Sequence, residues 1–438
     1  MLHFQLSLFY DLQHFIQTSG FHRKYFLLFK SLDLSDVPDR NLGLGCSGHS
    51  RHGIIKALIV KHLEEIKSVP RLIEFLDAHP VLTEMCGFSM GALPDESQFY
   101  RFLQHTKNTV LENIHFKINR ALVEKNVVSL DTFIIDSKPV MAATRQNNLK
   151  NPKRNSSDKT KKPKRNPQAT LSYYSYQQLS GKKNNYIFFW GYRTHVIVSV
   201  EGVPLIETTL PNNKTDGQVA KKLIRKLKRL FKFKNGAIFI ADAAYDERDI
   251  YNIIVEKMKS KALIPINPRN QQPQKTLGPH GCPMCEAGLE MRSAGSWTEG
   301  LRTRLKFRCP LKTDRALAQK YSAGCPGEHQ RFFKGNAYGC TKYLDVTFDA
   351  RAQVPRDTQW FKNTYRKRII VEQYFARLGD REVEQTSHYK LRSVQNQITI
   401  AHLSMSLIAK AAAVLMQQPE KIRCYRTFAK EYQVDQVA

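Results

Sequence analysis

The chain has 438 residues, 68 Lys and Arg against 39 Asp and Glu, and a formal net charge of +29. Hydrophobic residues make up 42%, which excludes wholesale disorder and leaves room for two or three domains of roughly 100–200 residues. So large a basic excess points to a polyanionic partner, of which nucleic acid is the usual one. Apolar runs of 18 residues are not evident, so no spanning helix and no membrane partner is expected. Asp11 interrupts the apolar N-terminal stretch and no small-residue cleavage site follows, so no signal peptide is expected. Eight cysteines are too few for a disulfide scaffold, and the expected setting is cytoplasmic, in the nucleoid.

Residues 1–125 are expected to form an all-helical N-terminal domain. Ile54, Ile55, Leu58 and Leu63 recur at helical spacing, and Leu72, Ile73 and Leu76 continue the pattern after Pro70. Such a domain could place a helix in a DNA groove, or it could serve only for packing and dimerisation.

From residue 127 the pattern changes. Val127 to Ile135 is β-prone and is expected to be a buried strand that ends in a loop at Asp136-Ser137-Lys138-Pro139. Residues 145–166 hold nine Lys or Arg against the single acid Asp158, among Asn, Pro and Ser. This tract cannot bury a core, and residues 145–170 are read as a flexible loop. Lys161, Lys162, Lys164 and Arg165 are its candidate phosphate contacts, and a merely solvated insertion is the alternative. Strands are expected at Tyr186–Trp190, Thr194–Val200 and Pro204–Leu210, with a hairpin turn at Glu201-Gly202. A basic amphipathic helix follows at 214–232. A short strand, Ala237 to Ala241, ends at Asp242, and a helix from Asp246 and a strand at Ala262–Ile266 come next. The order is that of an α/β domain with a mixed sheet, spanning 126–266 and 356–420. Residues 267–355, rich in Gly, Pro and Cys, read as an insertion.

Asp136 and Asp242 each follow a predicted buried strand, and Glu372 lies in a predicted helix Tyr365–Leu378, where Tyr365 and Arg368 share its face. Carboxylates on rigid elements make a hard-oxygen site suited to Mg²⁺ or Mn²⁺. Taken singly, each is an ordinary cap, turn or surface residue.

In joint order these pieces resemble the DDE transposases of prokaryotic insertion sequences, of the subgroup with a Tyr-x2-Arg-x3-Glu signature. The matching segments are Phe133–Val140, Phe189–His195, Ile238–Asp246 and Tyr365-x2-Arg368-x3-Glu372, with Pro94–Phe102 in the helical part. The resemblance implies an RNase H-like core, a metal-binding triad of Asp136, Asp242 and Glu372, and Tyr365 and Arg368 near the cut strand. Lys138 and Arg377 are further candidate DNA contacts. It also implies double-stranded DNA as partner, a homodimer on that DNA, and cleavage at transposon ends followed by strand transfer. One departure is Gly379, where some relatives carry Lys. Asp216 matches a recurrent family Asp and is read as a helix N-cap, with an accessory site residue as the alternative. An RNase H-like nuclease without strand transfer is the rival enzyme, and a catalytically idle zinc-containing DNA-binding protein is the rival of another class.

In the insertion, which also holds Cys340, Cys282-x2-Cys285 with Cys309 and Cys325 could hold a structural Zn²⁺; His280 and His329 are spare candidate ligands, and free thiols are the alternative.

Overall fold

In a computed structural model the described residues are 12–40, 48–89, 91–147, 160, 162–177, 184–267, 277–299, 302–322, 324–333, 339–346, 349–379 and 383–425. The protein is a mixed α/β structure. Its chain packs as two compact units that do not follow chain order. The first comprises 1–129, 137–215 and 371–438, and the second 130–136 and 216–370.

Among the described residues the first unit opens with seven helices: α1 (Leu12–Thr18), α2 (Gly20–Lys30), α3 (Arg51–Leu63), α4 (Val69–Asp77), α5 (Pro80–Cys86), α6 (Glu96–His105) and α7 (Asn108–Glu124). Their starts are chemically marked. Ser19, Ser50, Ser68 and Asp95 each accept a backbone N–H from the first turn, as N-caps should. β1 (Thr132–Met141) then carries the chain out of the second unit and into the first. The first unit also holds β2 (Thr170–Gln177), β3 (Asn184–Ser199) and β4 (Pro204–Pro211). β3 pairs antiparallel with β2 through Thr170↔Gly191 to Gln177↔Asn184, and with β4 through Tyr192↔Pro211 to Val198↔Pro204. The end of β1 lies along the other edge of β3, where Ala142 N–H donates to the Trp190 carbonyl.

Gly191 sits where that edge is tightest. A Cβ there would collide with the Val140 carbonyl oxygen and lie 3.2 Å from the Met141 Cα. Backbone cannot rotate away as a side-chain tip can. Gly191→Ala is therefore expected to destabilise the protein by about 3 kcal/mol. Denaturant unfolding checks this, and a loss below about 1 kcal/mol would mean that the strand shifts freely.

A twenty-residue helix, Leu391–Lys410, forms the axis of the first unit and packs on α3, α6, α7 and β4. By length and apolarity the segment Leu391–Leu415 could cross a membrane, a feature not expected from the sequence. It is instead 78% buried inside the protein, as a core helix is. Several of its buried polar residues are hydrogen-bonded. His402 is held between Thr194 Oγ1 (3.0 Å) and Tyr374 OH (2.5 Å), and Asn396 donates to the Leu103 carbonyl (2.8 Å).

The second unit contains the first half of β1, the amphipathic helix α8 (Asp216–Leu230), β5 (Ile238–Ala241) and β6 (Lys261–Leu263). β5 pairs parallel with both β1 and β6. Asp216 is the first residue of α8 rather than a residue before it. The segment expected as a helix from Asp246 is broken. A 3₁₀ turn, Ala243–Tyr245, leads to a short helix, Arg248–Tyr251, and a π-helical turn, Asn252–Lys257. The Cys-containing segment has structure of its own: an antiparallel sheet of β7 (Arg292–Glu299), β8 (Arg302–Arg308) and β9 (Thr341–Asp345), with short helices beside it.

Two other expectations are corrected. β1 does not end at Asp136; it continues through Pro139 to Met141, because its later residues gain a new edge on β3. β2 was not expected, since it follows directly on the basic tract.

Candidate active site

The second unit places two of the candidate carboxylates side by side. Phe133, Ile134 and Ile135 of β1 and Phe239, Ile240 and Ala241 of β5 are all buried, and this apolar run fixes the parallel register. The last aligned pair of that ladder is Ile135↔Ala241. Asp136 and Asp242 are the residues that follow on each strand. Neighbouring strands run about 4.8 Å apart, so the two backbones present their acids together at one strand end.

Their surroundings differ. The Asp242 carboxylate accepts the Ala244 N–H at 2.9 Å and so caps the 3₁₀ turn. The Asp136 side chain is 13% exposed, and its Oδ2 accepts Arg368 Nη2 at 3.0 Å. Arg368 comes from a 3₁₀ turn, Arg366–Arg368, that packs against β5. The expected continuous helix Tyr365–Leu378 is thus corrected: one helix, Gln359–Tyr365, ends, the 3₁₀ turn intervenes, and a second helix, Ile369–Leu378, begins. The 3₁₀ turn interrupts the α-helical hydrogen bonding between Tyr365 and Glu372. Tyr365 stacks on Phe361, rings 5.6 Å apart and 8° from parallel.

Glu372 lies in the first turn of the helix Ile369–Leu378 and belongs to the first unit, four residues beyond Arg368. Val371, Tyr374, Phe375 and Leu378 anchor that helix by burial. In the same unit, Lys138 Nζ donates to Glu384 Oε1 (2.8 Å) and to the Phe375 carbonyl (3.3 Å). The ammonium would lie 3.2 Å from a Cβ at Gly379. Arg377 donates to the Gly202 carbonyl at 3.1 Å and lies over Tyr374. Of the basic tract, Lys161 is outside the described residues, as are 148–159. Lys162, Lys164 and Arg165 are exposed, and Arg165 lies over the Tyr389 ring at 5.9 Å.

The sequence reading missed Asp246. Its side chain is fully buried and takes Arg351 on both oxygens, Nε to Oδ1 at 2.7 Å and Nη2 to Oδ2 at 2.5 Å. Tyr251 OH (2.9 Å) and the Asn267 N–H (2.8 Å) also donate to it. Burial alone would raise its pKa, but the Arg351, Asn267 and Tyr251 donors outweigh burial and hold the carboxyl below its ordinary value. Arg356 extends the network to Tyr251 OH (2.9 Å) and the Ile264 carbonyl (2.8 Å). No spacing in the sequence signals this pairing over 105 residues.

Among the cysteines, Cys285, Cys309, Cys325 and Cys340 line one small cavity. Cys282 is not in that wall; it is buried with Met291 and Phe307, in a cluster against which Cys285 and Cys340 also pack. Among the described residues, no three His, Cys, Asp or Glu side chains already stand in a group ready to hold a metal ion.

A solved structure described as a piggyBac transposase synaptic complex with hairpin DNA is similar over 93% of this chain and 78% of that one, at 11% identity and a TM-score of 0.39. No curated protein matches the sequence. Residues 129–407, which carry β1, Asp136, Asp242, Arg368 and Glu372, match the family described as Transposase DDE domain, and the chain belongs to that family.

Proposed function

We propose that this transposase cuts phosphodiester bonds at the ends of an insertion-sequence-type element and joins the freed 3′-OH to target DNA, working on double-stranded DNA as a homodimer in the nucleoid. The observation that carries the reading is the pair of acids, Asp136 and Asp242, at the end of adjacent parallel strands of a very basic protein. In this reading β1, β5 and β6 belong to an RNase H-like core, and Glu372 completes the site.

The donor set suits a hard divalent cation: carboxylate oxygens on rigid backbone, with no soft ligand among the three. Asp136, Asp242 and Glu372 would hold Mg²⁺ or Mn²⁺. When bound, such ions favour ionisation of the attacking hydroxyl and offset charge on the leaving oxygen. Arg368 neutralises Asp136 through its ion pair. A guanidinium in that place can exchange the carboxylate for a phosphate oxygen and so orient the strand for in-line attack. Tyr365, stacked on Phe361, offers a flat face one turn away.

DNA is held elsewhere. In the first unit a cavity of about 420 Å³ is lined by Arg51, Arg101, Lys107, His49 and His105, with no acidic residue in its wall. The basic tract adds Lys161, Lys162, Lys164 and Arg165. Neutralising Lys159, Lys161, Lys162, Lys164 and Arg165 together is expected to make the slope of log affinity against log salt shallower by roughly 2 or more, for every DNA sequence alike. An unchanged slope would make the tract a solvated insertion.

The direct test incubates the purified chain and Mg²⁺ with DNA bearing the sequences that flank its gene. Nicking at terminal repeats and recovery of joined products support the proposal. Cleavage without joining would leave the nuclease reading, and binding without cleavage the idle one.

A further inference from the structure

We infer that the Cys-containing segment of the second unit houses a structural tetrathiolate site for a zinc-class cation, formed by Cys285, Cys309, Cys325 and Cys340, with Cys282 left out. The inference stands apart from DNA cleavage and does not depend on it.

The four cysteines come from four separate stretches and line one cavity of about 10 Å³, whose wall also includes Leu289, Pro310, Leu311, Glu286 and His329. That is about the volume of one water or one ion. Local geometry brings the stretches together. Cys285 begins a tight reversal through Gly288, at φ +69°, and the Leu289 N–H points at the Cys285 sulfur from 3.4 Å. A backbone donor aimed at sulfur stabilises a thiolate. Cys309 opens the short helix Pro310–Thr313 at the end of β8. Gly339, at φ +59°, lets Cys340 approach: a Cβ at 339 would lie 2.7 Å from the Cys309 Cβ. Gly327 does the same for Cys325, since a Cβ there would lie 3.1 Å from the Cys285-side residue Ala287.

On binding, four thiols would release four protons, and a Zn²⁺ with four thiolates carries a net charge of −2. The Leu289 N–H and Lys312 can offset part of it; the Lys312 Cγ would lie 3.2 Å from a Cβ at Gly339. The sulfurs must still draw in around the ion, since no ligand group is already gathered among the described residues. Soft sulfur selects zinc-class metals over Mg²⁺. The need is plain in the packing. This segment's two buried clusters, Cys282-Met291-Phe307 and Cys309-Leu311-Phe332, are small, and small cores take metal staples.

The test uses the full chain purified without chelator. Elemental analysis is expected to find about one Zn²⁺ per chain. Cys340→Ser and Cys325→Ser are expected to lose it, and Cys282→Ser to keep it. Co²⁺-loaded protein should show the absorption of a tetrahedral thiolate site, unchanged in Cys282→Ser. Absence of metal from the wild-type chain overturns the proposal. So does loss of metal in Cys282→Ser, or full retention in Cys340→Ser.

Discussion

Asp136→Asn, Asp242→Asn and Glu372→Gln are each expected to reduce DNA cleavage by more than about 10³-fold while leaving DNA binding nearly unchanged. Each substitution preserves shape and removes one negative charge from a site that must hold dications. Asn at 242 can still accept the Ala244 N–H, so the turn after β5 is retained. Asn at 136 loses its ionic hold on Arg368 but keeps an acceptor for it. DNA affinity, which rests on Lys and Arg contacts, has no reason to fall. Cleavage of labelled end DNA in Mg²⁺ and a parallel binding titration make the measurement. Any one variant cutting at near the wild-type rate removes that carboxylate from the proposed site.

Arg351→Ala is expected to cost about 3–5 kcal/mol, because it leaves the buried Asp246 carboxylate without its charge partner. In a unit of this size such a loss lowers the midpoint of thermal unfolding by roughly 10 °C. The damage is placed where it matters, since Asp246 lies four residues after Asp242 on the same stretch. The pH dependence has a definite sign. The Asp246 carboxyl is held below its ordinary value of 3.8, so its stabilisation is present above that value and is lost as pH falls through the depressed one. Wild-type protein should therefore lose stability on the acid side, and Asp246→Asn should show less of that loss. Thermal melts from neutral to about pH 3 test both claims. Superimposable wild-type and Arg351→Ala melts would show that the network holds nothing together.

The parts of the site legible in the sequence were those written in apolar runs. Phe133-Ile134-Ile135 and Ile238-Phe239-Ile240-Ala241 could be buried strands and little else, and the acid after each run is a local signal. Glu372 needed the joint order of four segments to be noticed. What stayed hidden depends on partners far along the chain. Asp246 meets Arg351 only after the fold closes. Cys340 replaces Cys282 at the thiol cavity because Gly339 permits the approach to Cys309, which no CxxC count can reveal. The 3₁₀ turn at Arg366–Arg368 breaks a run that helical periodicity joins smoothly. The extension of β1 past Asp136 likewise reflects an edge supplied by β3.

The helix Leu391–Lys410 has a consequence for the order of synthesis. α3, α6 and α7 leave the ribosome early, yet the surface they pack on is made about 290 residues after α7 ends. At about 5–20 residues per second that is a wait of roughly 15–60 s. Through that interval the faces they turn to this helix lack their partner, and a chain that stops before residue 391 has a first unit with no axis. Premature termination therefore inactivates the chain even when every candidate acid has already been made.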